Sequence, residues 1–191
     1  MASATSFNTL SKEGVDVTVV YTMTASLTPE TPAPPFAIGD ICEGMFGAQW
    51  VFVQASTSIT VNDWLAIKGS MQANSLTTTN IAAAGGVQLG VAPGATAGNG
   101  GVNATMLAGT YFWAQIRGSQ VAANGIAATS TSNVDLFTSA TAGILTSTSG
   151  GIGVAGVIVT ASLTTLAQTF MLTWPRAIGS AAVAAGGTIN P

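Results

Sequence analysis

The sequence predicts an all-β protein, a β-sandwich or barrel body preceded by an extended N-terminal arm. Three observations carry that expectation. Short segments rich in β-branched and aromatic residues recur along the chain with Gly, Asn and Ser between them, the pattern of strands joined by turns. Strong helix formers are sparse, and no window keeps apolar residues at i, i+3, i+4 and i+7 against a charged face. Charged residues make up only 6% of the 191 positions, against about 25% in an ordinary domain. Such a chain lacks the side chains that solvate helix surfaces, and it suits a molecule whose faces are covered by neighbours.

The first element is a strand over residues 15–23 (VDVTVVYTM), where β-branched residues dominate. Pro29, Pro32, Pro34 and Pro35 follow and favour an extended, polyproline-like linker. Residues 1–35 therefore read as an arm on a semi-rigid tether. A lone strand leaves its backbone groups unpaired and is unstable by itself. The linker, at about 3.1 Å per residue, is long enough to cross a subunit boundary, so an intermolecular partner is expected for the arm.

Residues 36–179 form the β-rich body. Strands are expected at 49–54, 58–61, 64–68, 87–92, 110–117, 134–138, 154–160 and 169–174, with Asn62-Asp63 as a tight turn. The Ala-rich stretches 81–84 and 181–185 are each bounded by Gly and read as loops. Leu89-Gly-Val-Ala92 is echoed by Ile152-Gly-Val-Ala155, and the strand ending at Arg117 by the one ending at Arg176. The spacing drifts between the two echoes, so they fit either two related β units, 36–118 and 119–179, or chance in an Ala/Gly-rich chain. Residues 180–191 read as a flexible tail.

Chemistry is narrowly bounded. There is no histidine, which removes the usual general base, the His-containing triads and the commonest metal ligand. Cys42 is the sole cysteine; it forms no intrachain disulfide, supplies no zinc site, and reads as a small buried hydrophobe. Asp40 and Glu43 are the one close carboxylate pair that glycosidase or calcium chemistry would need, and two solvated loop acids are the simpler reading. Gly151-Ile-Gly-Val-Ala-Gly156 matches a dinucleotide fingerprint in letters, yet β-branched residues follow it instead of a helix and no acid occurs after Asp135. No catalytic residue, cofactor or metal ligand is expected.

The four Lys and Arg residues are scattered and the pI is about 4.4, which argues against nucleic-acid binding. Mean hydropathy is +0.52, but no apolar run approaches the roughly 20 residues of a spanning helix, so no membrane partner is expected. The N-terminus shows no signal-peptide pattern, so synthesis in a cytoplasm is expected and the sequon at Asn103 is read as idle. Trp50, Trp64, Trp113 and Trp174 all lie in expected strands, where core or subunit-interface packing is the first reading and sugar stacking the second. Arg117 and Arg176 each end an aromatic strand, as interface anchors or as solvated ends. The candidate interface residues are Val17, Val19 and Tyr21 of the arm, with Trp113, Arg117, Trp174 and Arg176 of the body.

Several segments occur in an order that resembles a family. They are Gly44-Met-Phe-Gly-Ala-Gln-Trp-Val-Phe-Val-Gln-Ala55, Ser58-Ile-Thr-Val-Asn-Asp-Trp-Leu-Ala-Ile67, Gln88-Leu-Gly-Val-Ala92, Gly109-Thr-Tyr-Phe-Trp-Ala-Gln-Ile-Arg-Gly118, Leu136-Phe-Thr-Ser-Ala-Thr-Ala-Gly-Ile-Leu145 and Thr173-Trp-Pro-Arg176. Over residues 39–177 the chain is similar to tailed-bacteriophage structural proteins encoded beside the major capsid protein and taken to decorate (cement) the head. The resemblance implies a non-enzymatic virion protein on the outer capsid surface, made in the host cytoplasm. Its partners would be the major capsid protein and itself, as a homo-oligomer with a trimer favoured over a dimer. A tail or fibre component that binds host-surface carbohydrate is the alternative, and a carboxylate hydrolase using Asp40 and Glu43 is a further rival.

Overall fold

Val, Ile, Phe and Trp at alternating positions give a pleated strand one face to bury, and that alternation sets the layers of this molecule. The computed structural model describes residues 14–22, 36–82, 87–93, 96–97, 105–125, 135–160 and 167–178. In chain order they contain β1 (Val19–Val20), β2 (Ile41–Glu43), β3 (Gln49–Ala55), β4 (Ile59–Thr60), β5 (Trp64–Ile67), β6 (Gln72–Ser75), α1 (Thr78–Ala82), β7 (Gln88–Val91), β8 (Thr96–Ala97), β9 (Thr105–Met106), β10 (Tyr111–Asn124), β11 (Leu136–Thr138), β12 (Leu145–Thr146), β13 (Gly153–Val159) and β14 (Ala167–Ile178). The all-β expectation holds.

Ten strands share one mixed sheet, and part of it closes on itself. β3 pairs with β10, β10 with β7, β7 with β5, β5 with β6, and β6 returns in parallel to β3. The interior of this five-stranded barrel holds Val51, Val53, Ala55, Leu65, Ile67, Phe112, Ala114 and Ile116, all buried. The intervening residues of β3 and β10 point outward, and there Trp50, Phe52 and Trp113 form an aromatic layer with Cys42 and Val17.

At Arg117 the long strand β10 leaves β3 and begins to pair with β14, the register shifting between Gly118 and Val121. β14 in turn pairs with β13, and β13 with β11 and β12 beyond it. This antiparallel extension curls over the outer side of β5 and β7, burying a further core in which Trp64 meets Phe170 edge-on with ring centroids 5.2 Å apart. The boundary between the two expected β units falls inside β10, so both share that strand. The echoed strands are antiparallel neighbours in each unit, but Val91 faces Gln115 whereas its counterpart Val154 faces Ala177, so their registers are not equivalent.

Asp63 pins the two parts together. The residue is 7% exposed, and its carboxylate accepts hydrogen bonds from the Thr60 N–H at 3.1 Å, the Ser75 hydroxyl at 2.7 Å and the Asn124 side-chain amide at 3.1 Å. Gly143, at φ 72°, lies against the same carboxylate, where a β-carbon would collide with it. The Asn62-Asp63 turn thus forms as expected, with Asn62 at φ 64°, but β4 and β5 on either side of it do not pair: β4 pairs with β9.

Two expectations are corrected. Residues 78–82 are a helix where a loop was expected around 81–84. Thr77 and Asn80 exchange side-chain-to-backbone hydrogen bonds at 3.1 and 2.9 Å, a reciprocal cap that starts a helix without any Glu. The N-terminal segment is also not a detached nine-residue strand. Among the described residues 14–22 only Val19–Val20 is strand, paired in parallel with β8, and Tyr21 bridges to Tyr111 of the same chain. Val17 is fully buried in the aromatic layer with Trp50, Phe52 and Trp113, where its burial keeps apolar surface from water. Most of the Pro-rich linker, Asn103, residues 181–185 and the 180–191 tail lie outside the described residues.

Candidate interaction surface

Outward-facing positions of β13 and β14 carry large apolar side chains where a solvated sheet would carry polar ones. Ile158 and Met171 face each other across the strands and are 42% and 39% exposed. Ile178, paired with Gly153, and Trp174 complete the patch. Trp174 reaches it through an irregularity: between the pairs Ala155–Arg176 and Val157–Leu172, one residue of β13 opposes three of β14. The bulge sets Trp174 at φ 59°, a conformation costly for a bulky residue, and leaves its ring 45% exposed. Gly156, at φ 75°, permits it, since a β-carbon there would lie 2.8 Å from the carbonyl oxygens of Thr173 and Trp174.

Arg176 is exposed on this face, and Arg117 of β10 is exposed beside it, paired with Thr173. The fold therefore brings three of the expected interface residues, Arg117, Trp174 and Arg176, to one surface. It does not bring the others there. Val17 and Trp113 are interior, 0% and 1% exposed, and Val19 is half-buried in β1. Tyr21 packs its ring edge against Phe36 and Phe52. Burial first, and the nearby Asp16 carboxylate second, raise the Tyr21 phenol above its ordinary pKa.

A second apolar surface lies at the opposite end of the sheet order. Among the described strands β2 ends the sheet order and pairs with β3. Cys42 points into the aromatic layer, while Ile41 on its other face is 53% exposed, with Ile38 and Met45 flanking it at 43% and 41%. Sequence reading missed this patch and the Ile158, Met171 and Ile178 group. For the latter a signal existed: TFMLTW and GVIV are apolar without alternation, and such runs mean that both faces are meant to be covered.

Asp40 and Glu43 flank Ile41, and both are exposed. The Asp40 carboxylate accepts the Ala37 N–H at 2.8 Å, and Glu43 accepts the Gln49 amide at 3.0 Å. Three residues apart on extended chain, they leave opposite faces, so the two carboxylates do not converge on a substrate. Among the described residues no cluster of three or more His, Cys, Asp or Glu side chains could hold a metal. Gly151–Gly156 runs directly into β13, so no helix N-terminus is present to receive a pyrophosphate.

Two exposed apolar surfaces, around Trp174 and around Ile41, are thus present among the described residues. Comparison with models of protein families, with curated proteins and with solved structures found no match.

Proposed function

We propose that this chain is a virion structural protein that seats on the outside of a phage capsid as a homo-oligomer and stabilises contacts between major capsid protein subunits. The observation that carries the reading is the pair of large apolar surfaces, around Trp174 and around Ile41, on a chain with 6% charge. Contiguous apolar surface rimmed by a few charges marks a protein interface. The segmental resemblance to head-decorating proteins supports the same reading. No chemistry is required of such a molecule. A ligand that binds only the assembled lattice stabilises it by mass action, and an oligomer touching several subunits gains through effective concentration.

The carbohydrate alternative relies on exposed aromatic platforms. Trp50, Trp64 and Trp113 are at most 1% exposed, leaving Trp174 as the sole tryptophan available for stacking. The test is direct: purified protein is added to capsids that lack it. Saturable binding at a fixed copy number, with a raised temperature of capsid rupture, is the expected result. Binding to host-surface glycan with none to capsids would replace this reading by the fibre one.

A further inference from the structure

We propose that one copy of this chain docks its β13–β14 outer face onto the β2 edge of the next copy, head to tail. This deepens the homo-oligomer part of the reading above and rests on it, though not on the capsid. The two faces are matched in kind. Each presents medium-to-large apolar side chains: Ile158, Met171, Trp174 and Ile178 from strands on one, and Ile41 of β2 with Ile38 and Met45 from the turns on either side of it on the other.

They are opposed in charge. Arg117 and Arg176, half of the chain's four cations, lie on the first, while on the second Glu43 shares the Ile41 face of β2 and Asp40 is exposed at the start of the same strand. The margins reverse the pattern. Asp135 precedes β11, two strands from Arg176, and Lys68 begins the turn whose Met71 packs on Gly39 beside Ile38. In a chain so poor in charge, this distribution selects the pairing. Face to like face would set Arg against Arg or carboxylate against carboxylate, and like charges across an interface are strongly unfavourable.

Head-to-tail contact brings the opposite signs together in both centre and margin. Such a contact is heterologous, so it closes into a ring when its rotation permits, a trimer being one solution. Trp174 then serves as the central anchor, an aromatic fixed by its backbone and flanked by Arg, the residue types that dominate interface energetics.

The experiment is sedimentation of four full-length proteins without capsids: wild type, Arg117→Glu with Arg176→Glu, Asp40→Lys with Glu43→Lys, and all four substitutions together. Wild type is expected to associate at micromolar concentration. Each pair of substitutions should weaken association at least roughly tenfold, the scale of a lost hot-spot contact. The fourfold reversal should restore it. A monomeric wild type, a pair variant that associates like wild type, or a folded fourfold variant that stays dissociated would each overturn the contact. If circular dichroism shows a charge variant unfolded, Trp174→Ala and Ile41→Ser replace it; association unchanged in both would overturn the proposal equally. Capsid binding is scored separately, so its failure would count against the virion reading and leave the sedimentation result standing.

Discussion

Tyr21 and Tyr111 hold each other through both backbone groups: the Tyr21 N–H donates to the Tyr111 carbonyl at 2.8 Å, and the Tyr111 N–H donates back to Tyr21 at 2.9 Å. This single antiparallel bridge fastens the N-terminal segment to the start of β10. Beneath it, Val17 closes the aromatic layer over Trp50 and Trp113. The segment is therefore part of the body's own packing.

Val17→Ala is expected to cost about 2 kcal/mol, the scale for truncating a fully buried aliphatic side chain. Deleting residues 1–22 should lower thermal stability further and increase tryptophan quenching by iodide, since Trp50 and Trp113 lose their cover. A deletion variant that melts with wild-type Tm would show that the segment contributes nothing.

Alkaline pH should loosen the same region. Because burial and Asp16 raise the Tyr21 phenol in the folded state, the folded protein holds this proton more tightly than the unfolded chain does. The stability so gained is complete below the ordinary value of 10.0 and is lost as pH rises through the higher folded one. Tyr21→Phe is expected to flatten the fall of Tm above that pH. An identical alkaline profile in the variant would remove Tyr21 as the cause.

Asp63 and Gly143 should be coupled. Asp63→Ala leaves half-buried donors on Ser75 and Asn124 without their acceptor and should cost roughly 2 kcal/mol. Gly143→Ala places a methyl where the carboxylate sits, at a φ that disfavours it, and should cost at least about 2 kcal/mol. In the double variant the collision is relieved, so the costs should sum to less than their separate values by about 1 kcal/mol or more. Strict additivity in denaturant titrations would refute the contact.

The bulge at Trp174 separates folding from association. Trp174→Gly removes a left-handed strain of about 1–2 kcal/mol and an exposed ring, so fold stability should stay within about 1 kcal/mol of wild type. Gly156→Ala meets backbone oxygens instead and should destabilise by at least about 2 kcal/mol. A large loss of Tm in Trp174→Gly would mean that the ring packs within its own chain.

The strands legible in the sequence are those with dense β-branched or aromatic text: β3, β5, β7, β10, β13 and β14 all fall on expected segments. Those missed are held by partners instead of by composition. Gln72–Ser75 reads QANS and becomes β6 only because β5 and the parallel β3 flank it. Ile41–Glu43 buries one side chain of three, too few to show alternation. The length of β10 was hidden as well, since residues 118–124 are small and uncharged and extend the strand only by pairing with β14. For the surface, Trp174, Arg117 and Arg176 were readable as aromatic strand ends. The sorting of Trp113 inward and Ile41 outward depends on which face the barrel closes over, and no local pattern encodes that.

Closure of the barrel also sets a timetable. β3 meets β10 through pairs such as Gln54 with Tyr111, and the residues between them take roughly 3–10 seconds to synthesise at ribosomal rates of about 5–20 per second. Throughout that interval the core around Val51 and Val53 lacks Phe112, Ala114 and Ile116, and one edge of β3 is open to any passing strand. Nascent chains should accordingly engage chaperones before β10 emerges, and ribosome stalling placed ahead of Tyr111 should raise misassembly far more than stalling placed after Asn124.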